Sequence, residues 1–443
     1  MKRPELLSPA GTLKNMRYAF AYGADAVYAG QPRYSLRVRN NQFSKEEVLA
    51  QGIAEAHAAG KRFFLASNIA PHNNKLKNYI RDLEPIVAMG PDALIMSDPG
   101  LIMMVRETFP DMPIHLSVQS NVVNYAAVRF WQSMGLTRII LSRELSLREV
   151  REIREHCPDM ELEVFVHGAL CIAYSGRCLL SGYLSHRDSN QGACTNTCRW
   201  KYNTYEARET STGDVVPTEV DPSSLPAALL EEETRPGELM PAYEDEHGTY
   251  IMNSRDLRAV QHVRELTEMG IDSLKIEGRT KSAYYTARTA QVYSRAIDDA
   301  VAGREFDMGM MEELEGLANR GYTEGFYRRH PPKEYQNYER GVSTSDRQQL
   351  VGEIADINDR WLTIAVKNRF EKGDLMELVT PSGNVTFLLE AMLDKEGQAA
   401  EAAPGSGHVV RIPVPGDVDP QALDEFTMLV RYLPREPAAR AIA

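Results

Sequence analysis

Several things are scarce in this 443-residue chain, beginning with cysteine (5) and tryptophan (3). No apolar run approaches the ~20 residues that a membrane-spanning helix needs. Glycine (30) and proline (24) stand near ordinary usage, which excludes a collagen-like or low-complexity chain. Basic charge is in deficit. Fifty Lys and Arg against 62 Asp and Glu give a net charge of -12, so the chain is no polycation that coats nucleic acid. Any contact with a phosphate backbone has to come from a local basic patch. The opening Met1-Lys2-Arg3-Pro4-Glu5 lacks the apolar stretch of a signal peptide, and the expected location is the cytoplasm. In that reducing compartment clustered thiols point to metal or redox chemistry rather than to disulfides. Three signatures are missing as well: a GxGxxG after the first strand, a GxSxG elbow and an HExxH helix.

What is present is a repeated theme. Short apolar runs end in small or polar residues, and each is followed by a helical pattern. Eight such runs precede Gly303: Glu5–Pro9, Ala26–Gly30, Phe63–Asn68, Ala93–Asp98, Ile114–Gln119, Arg138–Arg143, Glu163–His167 and Ser273–Glu277. Helix-stop glycines are expected at Gly23, Gly60, Gly90, Gly135 and Gly270. Strands alternating with helices at this density predict an α/β fold, a (β/α)8 TIM-like barrel over residues 1–303. A cysteine-bearing insertion, 171–250, interrupts it between the seventh and eighth strands. Residues 304–344 read as a helical linker, and 345–443 as a small C-terminal all-β barrel domain punctuated by turn residues.

The cysteines Cys171, Cys178, Cys194 and Cys198 follow the pattern C-x6-C-x15-C-x3-C. Thiolates are soft ligands for zinc or iron–sulfur clusters, and the spacing lacks the CxxC knuckles of zinc ribbons. Four unrelated buried thiols would also satisfy the pattern. Cys157, before a proline, reads as a core residue.

One stretch is more specific. Glu163-Val164-Phe165-Val166-His167-Gly168-Ala169-Leu170-Cys171, followed by Gly176, Cys178 and Leu180-Ser181, resembles the signature of the collagenase-like peptidase family (class U, family 32). Leu6–Gly11 and Lys275–Arg279 also resemble family motifs, while Gly23–Arg39 and Asp245–Ser254 resemble its tRNA-hydroxylating branch. The resemblance runs along essentially the whole chain. It implies oxygen-independent, prephenate-dependent hydroxylation of wobble uridine in tRNA to 5-hydroxyuridine. It further implies a 4Fe–4S cluster on the four cysteines, prephenate as co-substrate, and an electron donor or cluster-assembly proteins as further partners. Two rivals stand beside it: a metal-containing collagenase-like endopeptidase and a non-catalytic tRNA-binding scaffold.

In such a barrel the active site lies at the C-terminal strand ends. These supply His167, Lys275 and Glu277 as candidate catalytic groups, with His167 expected to move a proton near neutral pH. Asn68, Asp98, Gln119, Arg143 and Arg279 are candidate substrate-binding residues, the two arginines as bidentate carboxylate clamps. Lys275 is expected to neutralise Glu277. Arg33, Tyr34, Arg37 and Arg39 follow the second strand as a candidate RNA contact, with Tyr34 stacking on an extruded base.

Overall fold

The structure, a computed structural model, describes residues 1–36, 41–171, 173–178, 180–192, 194–195, 198, 255–328, 347–358, 360–416 and 418–433. Between 207 and 250 it describes the backbone of five short strands, and for 182–184 the backbone of a helix. Arg37 and Arg39 lie outside the described residues.

Seven parallel strands open the fold: β1 (Glu5–Pro9), β2 (Ala26–Gly30), β3 (Arg62–Ser67), β4 (Ala93–Met96), β5 (Ile114–Leu116), β6 (Arg138–Ile140) and β7 (Glu161–Ala169). The insertion carries β8 (Ala207–Glu209), β9 (Val215–Pro217), β10 (Ala228–Glu231), β11 (Leu239–Asp245) and β12 (Gly248–Tyr250). Then come β13 (Asp256–Arg258), β14 (Ser273–Ile276) and β15 (Tyr322–Thr323). β14 pairs in parallel with both β1 and β7, which closes an eight-stranded barrel. β13 adds antiparallel to β7 beyond the ring, and β15 pairs with β13.

Six helices follow the first six strands: α1 (Leu13–Ala21), α2 (Glu46–Ala58), α3 (Asn73–Ala88), α4 (Pro99–Thr108), α5 (Tyr125–Ser133) and α6 (Leu147–His156). Their starts are written in the sequence. Thr12 and Asn124 cap α1 and α5, and Ser146 with Glu149 forms a capping box on α6. Their ends are written there too: all five expected stop glycines adopt positive φ. After α7 (Leu180–Ser185) and α8 (Val263–Glu268), the long α9 (Ala283–Val301) lies against α1 and α8. In the stretch read as a linker, α10 (Gly309–Glu315) and Tyr327 pack into the barrel's apolar core.

The barrel interior carries charge. Arg138 Nη1 donates to Glu5 (2.6 Å) and Glu163 (3.1 Å), and Lys275 Nζ donates to the other Glu163 oxygen (2.8 Å). All four side chains are buried. Burial alone would raise the Glu163 carboxyl, but Lys275 and Arg138 overcome it and hold the group below the usual carboxylate range. Burial pulls the Lys275 ammonium down, with Glu163 offsetting part of the shift.

The C-terminal domain is a six-stranded antiparallel sheet in the order β20-β19-β23-β16-β17-β22. Its strands are β16 (Gln348–Ile357), β17 (Trp361–Val366), β19 (Leu375–Thr380), β20 (Gly383–Leu388), β22 (Val409–Pro413) and β23 (Met428–Tyr432), with the short pair β18 (Phe370–Glu371) and β21 (Ala402–Ala403) beside them. Among the described residues its edge strands β20 and β22 do not pair with each other. The domain docks on the helices α1 and α9. Tyr22 Oη donates to Val379 O at 2.9 Å, and the fully buried Arg288 donates to Glu377 at 2.6 Å. Among the described residues no helix is long and apolar enough to cross a membrane.

Candidate active site

At the C-terminal end of the barrel lies a cavity of about 150 Å³. Its floor comes from the strands, through Tyr28, Phe165, Lys275 and the strand-end residues Arg143, Glu277 and Arg279. Its wall comes from the insertion, through Cys171, Tyr174, Ser175, Gly176, Cys178, Cys194 and Cys198. Thus all four cysteines of the C-x6-C-x15-C-x3-C pattern face one space. Cys171 and Cys194 are exposed and the other two half-buried, and none is in a disulfide. Cys157 is elsewhere, buried at the end of α6 with Sγ near Tyr125 O. Among the described residues no three Cys, His, Asp or Glu side chains are gathered closely enough to hold one metal ion.

The floor is held by named contacts. Arg143 lies over the Phe165 ring, 3.8 Å from its centroid, and donates to Ala169 O (3.0 Å) and to Glu277 Oε2 (3.3 Å). Tyr28 Oη donates to Ile276 O at 3.0 Å, and Lys275 Nζ stands 4.3 Å from the Tyr28 ring centroid. Arg279 Nη2 donates to Leu36 O at 2.5 Å, which ties the end of β14 to the segment after β2. Three cations and one carboxylate line the space among the described residues. Lys275 pairs with Glu163 rather than with Glu277, whose oxygen meets Arg143 instead. The expected Lys275–Glu277 pair is therefore corrected, because Glu163 is the carboxylate fully buried beside the ammonium.

The wall is pinned to the barrel and to itself. Asn121 Nδ2 donates to Ser175 O at 2.7 Å, Ala70 N donates to Asn190 O at 3.0 Å, and Ser189 Oγ donates to Cys178 O at 2.9 Å. Gly176 takes a φ of +73°, which favours glycine, and a Cβ there would crowd Gln119 Oε1 and lie 3.2 Å from Gln119 O, so glycine suits the close approach of the cysteine segment.

The other expected residues divide. Asn68 and Gln119 line the cavity; Asn68 Oδ1 accepts from Leu36 N at 3.2 Å and its amide donates to Ser117 Oγ at 3.2 Å. Asp98 does not. It caps α4, accepting from Leu101 N at 2.9 Å, and lines only an adjoining cleft. His167 is corrected too. Its ring lies on the outer side of β7 among Tyr285, Tyr293 and Tyr322, fully buried, with Nδ1 3.3 Å from Tyr293 Oη. Burial pushes its imidazole down to about 3, so it is neutral near pH 7 and carries no proton to the cavity. The cause is a bulge. Lys275 pairs with Phe165, but the next residue, Ile276, pairs with His167, so Val166 is extra and the side-chain alternation reverses. Tyr34 is likewise unavailable to a base: it is buried, its hydroxyl donates to Asp82 at 2.9 Å, and its ring packs edge-on against Tyr79. Arg33 is exposed and faces Asp82 at 3.4 Å. Phe165, Tyr174 and Glu163 were missed by sequence reasoning. For Phe165 the signal was its place two residues from Glu163 on the inward face.

Comparison with known proteins completes the picture. The pattern of peptidase family U32 matches residues 11–337, and that of the peptidase family U32 C-terminal domain matches 346–428. The chain is 65% identical over 433 residues to tRNA hydroxylation protein P of Escherichia coli (strain K12), covering 95% of each chain. It is 60% identical over 436 residues to tRNA hydroxylation protein P of Haemophilus influenzae, covering 94% of each. It is also 28% identical over 403 residues to the 23S rRNA 5-hydroxycytidine C2501 synthase of Escherichia coli (strain K12), covering 87% of this chain and 54% of that protein. With both of its patterns matched and these similarities spanning nearly all of its length, the chain belongs to peptidase family U32.

Proposed function

We propose that this chain hydroxylates tRNA, converting wobble uridine to 5-hydroxyuridine without molecular oxygen, with prephenate as co-substrate and a 4Fe–4S cluster on Cys171, Cys178, Cys194 and Cys198. The observation that carries the reading is that the four thiols and the cations Arg143, Lys275 and Arg279 line one cavity. The relatives at 65% and 60% identity, both named for tRNA hydroxylation, point the same way.

The donor set suits the cluster. A cluster spreads its thiolates over several irons, so soft ligands ranged around a cavity suit it better than a single zinc shell with ligands ~2.3 Å from one ion. When bound, it supplies redox or Lewis-acid capacity beside the substrate. The chain's own residues do the binding. Prephenate carries two carboxylates, and Arg143 and Arg279 both line the cavity with guanidinium charge. Glu277 orients Arg143 and is the one carboxylate lining the cavity among the described residues, so it is the group placed to accept a proton there. No histidine lines the cavity among the described residues, so a peptidase reading lacks the imidazole that commonly activates a thiol nucleophile.

The test is nucleoside analysis of tRNA from cells deleted for the gene. 5-Hydroxyuridine should vanish on deletion, return with this chain, and fail to return in cells unable to make prephenate. Return without prephenate would refute the co-substrate; no return at all would refute the function.

A further inference from the structure

Three aromatic rings line the cavity among the described residues, and they are not equivalent. Tyr28 and Phe165 are buried in the floor, each with a cation over its ring, Lys275 at 4.3 Å and Arg143 at 3.8 Å from the centroids. Tyr174 stands in the wall, between Cys171 and Cys178, and is 50% exposed. Its ring touches no other ring or cation among the described residues. The turn that carries it is fixed: Arg177 N donates to Tyr174 O at 3.0 Å, and the next carbonyl, Ser175 O, accepts from Asn121. The backbone under the ring is thus anchored, and the ring is open.

Size decides what it meets. A cavity of about 150 Å³ takes a single benzene-sized ring. A space of that size does not enclose a cyclic dicarboxylate and a nucleobase together. The base has to be held at the mouth, where an adjoining cleft of about 390 Å³ shares Leu36, Asn68, Gln119, Gly176 and Asn190 with the cavity. Arg177, exposed in the same turn as Tyr174, lines that cleft and is available to a phosphate.

We infer that Tyr174 is the stacking platform for the extruded base, a positioning residue that presents the base to the cavity while Arg177 meets the neighbouring backbone. The inference rests on the tRNA-hydroxylase reading above. It replaces Tyr34, whose ring is buried against Tyr79.

The experiment compares binding of the full-length protein to two RNAs, an anticodon stem–loop with uridine at the wobble position and the same stem–loop abasic there. Base–aromatic stacking predicts that Tyr174→Ala weakens the uridine RNA about tenfold or more. The abasic RNA should lose less than about twofold, because no base is left to stack. Tyr174→Phe and Tyr174→Trp, which keep a ring and guard against a folding artefact, should bind like wild type. Equal losses on both RNAs, or no loss on either, would overturn the assignment. Wild-type protein that restores 5-hydroxyuridine in deleted cells yet binds the two RNAs equally overturns the stacking role alone. Wild-type protein that restores none overturns the functional reading, and this inference with it.

Discussion

The floor and the wall of the cavity hold their polar groups in opposite ways. On the floor, Lys275, Glu277 and Arg143 are carried by or just beyond barrel strands, and each is committed to a partner inside the protein. In the wall, Cys171 and Cys194 are carried by a loop and are exposed, and Tyr174 beside them presents an open ring. A strand-borne charge taken out of water has to be paired, or it destabilises the fold. A loop at a rim bears no such demand, so it can carry soft ligands and a ring face at the surface. The comparison teaches which changes should break the protein and which should break only its chemistry.

The largest effect is expected on the floor. Glu163→Leu strips both Arg138 and Lys275 of their shared carboxylate and should cost about 3–5 kcal/mol of stability, read by denaturant unfolding. A cost under about 1 kcal/mol would mean that the interior charges are solvated. Next comes the rim of the floor. Arg279→Lys keeps the charge but loses the guanidinium's hold on Leu36 O and its fork for a carboxylate. A charge-assisted bond of ~1.5–3 kcal/mol corresponds to roughly a 10- to 100-fold loss of hydroxylation, with tRNA affinity unchanged. Wild-type 5-hydroxyuridine in complemented cells would remove Arg279 from the site and leave Arg143 as the clamp.

Acid should act on the buried histidines. Burial holds His167 near 3 and His115 well below 6.5, so the unfolded chain takes up protons that the folded chain refuses. Stability should therefore fall as pH drops from 6.5 toward 3, by at most about 1.4 kcal/mol per pH unit for each histidine. His167→Phe should flatten part of that slope in pH-dependent unfolding, and an unchanged slope would contradict the shift. The smallest effect is expected at Tyr34. Tyr34→Phe loses the bond to Asp82 and should cost about 1 kcal/mol with tRNA binding intact, whereas loss of binding would reinstate Tyr34 as an RNA contact.

The barrel was legible in the sequence because parallel strands buried on both faces read as apolar runs, and because caps and stop glycines mark the helices between them. The strands containing Glu163, Lys275 and Arg138 were all found in this way. The partner of each charge was not, because pairing across the barrel joins residues such as Arg138 and Glu5 that lie 133 positions apart. His167 was misread for a local reason: alternation from Glu163 and Phe165 points it inward, and the bulge at Val166 turns it out. The thiols were legible by residue type alone. Their convergence with the floor was not, since it depends on how the loop folds back over strands β3 and β5 through Asn190 and Asn121. Tyr34 and Tyr174 are both tyrosines in polar surroundings, and only burial separates them.

The central claim is that the exposed thiols of the wall, and not the buried thiol of the core, complete the site above the cationic floor. The most direct test is the 5-hydroxyuridine content of tRNA from deleted cells complemented with Cys194→Ser or with Cys157→Ser, together with the iron and sulfide content of each anaerobically purified protein. The account predicts that Cys194→Ser abolishes the nucleoside and most of the iron and sulfide, while Cys157→Ser preserves all three. Normal 5-hydroxyuridine with Cys194→Ser, or its loss with Cys157→Ser in a folded protein, would contradict the account.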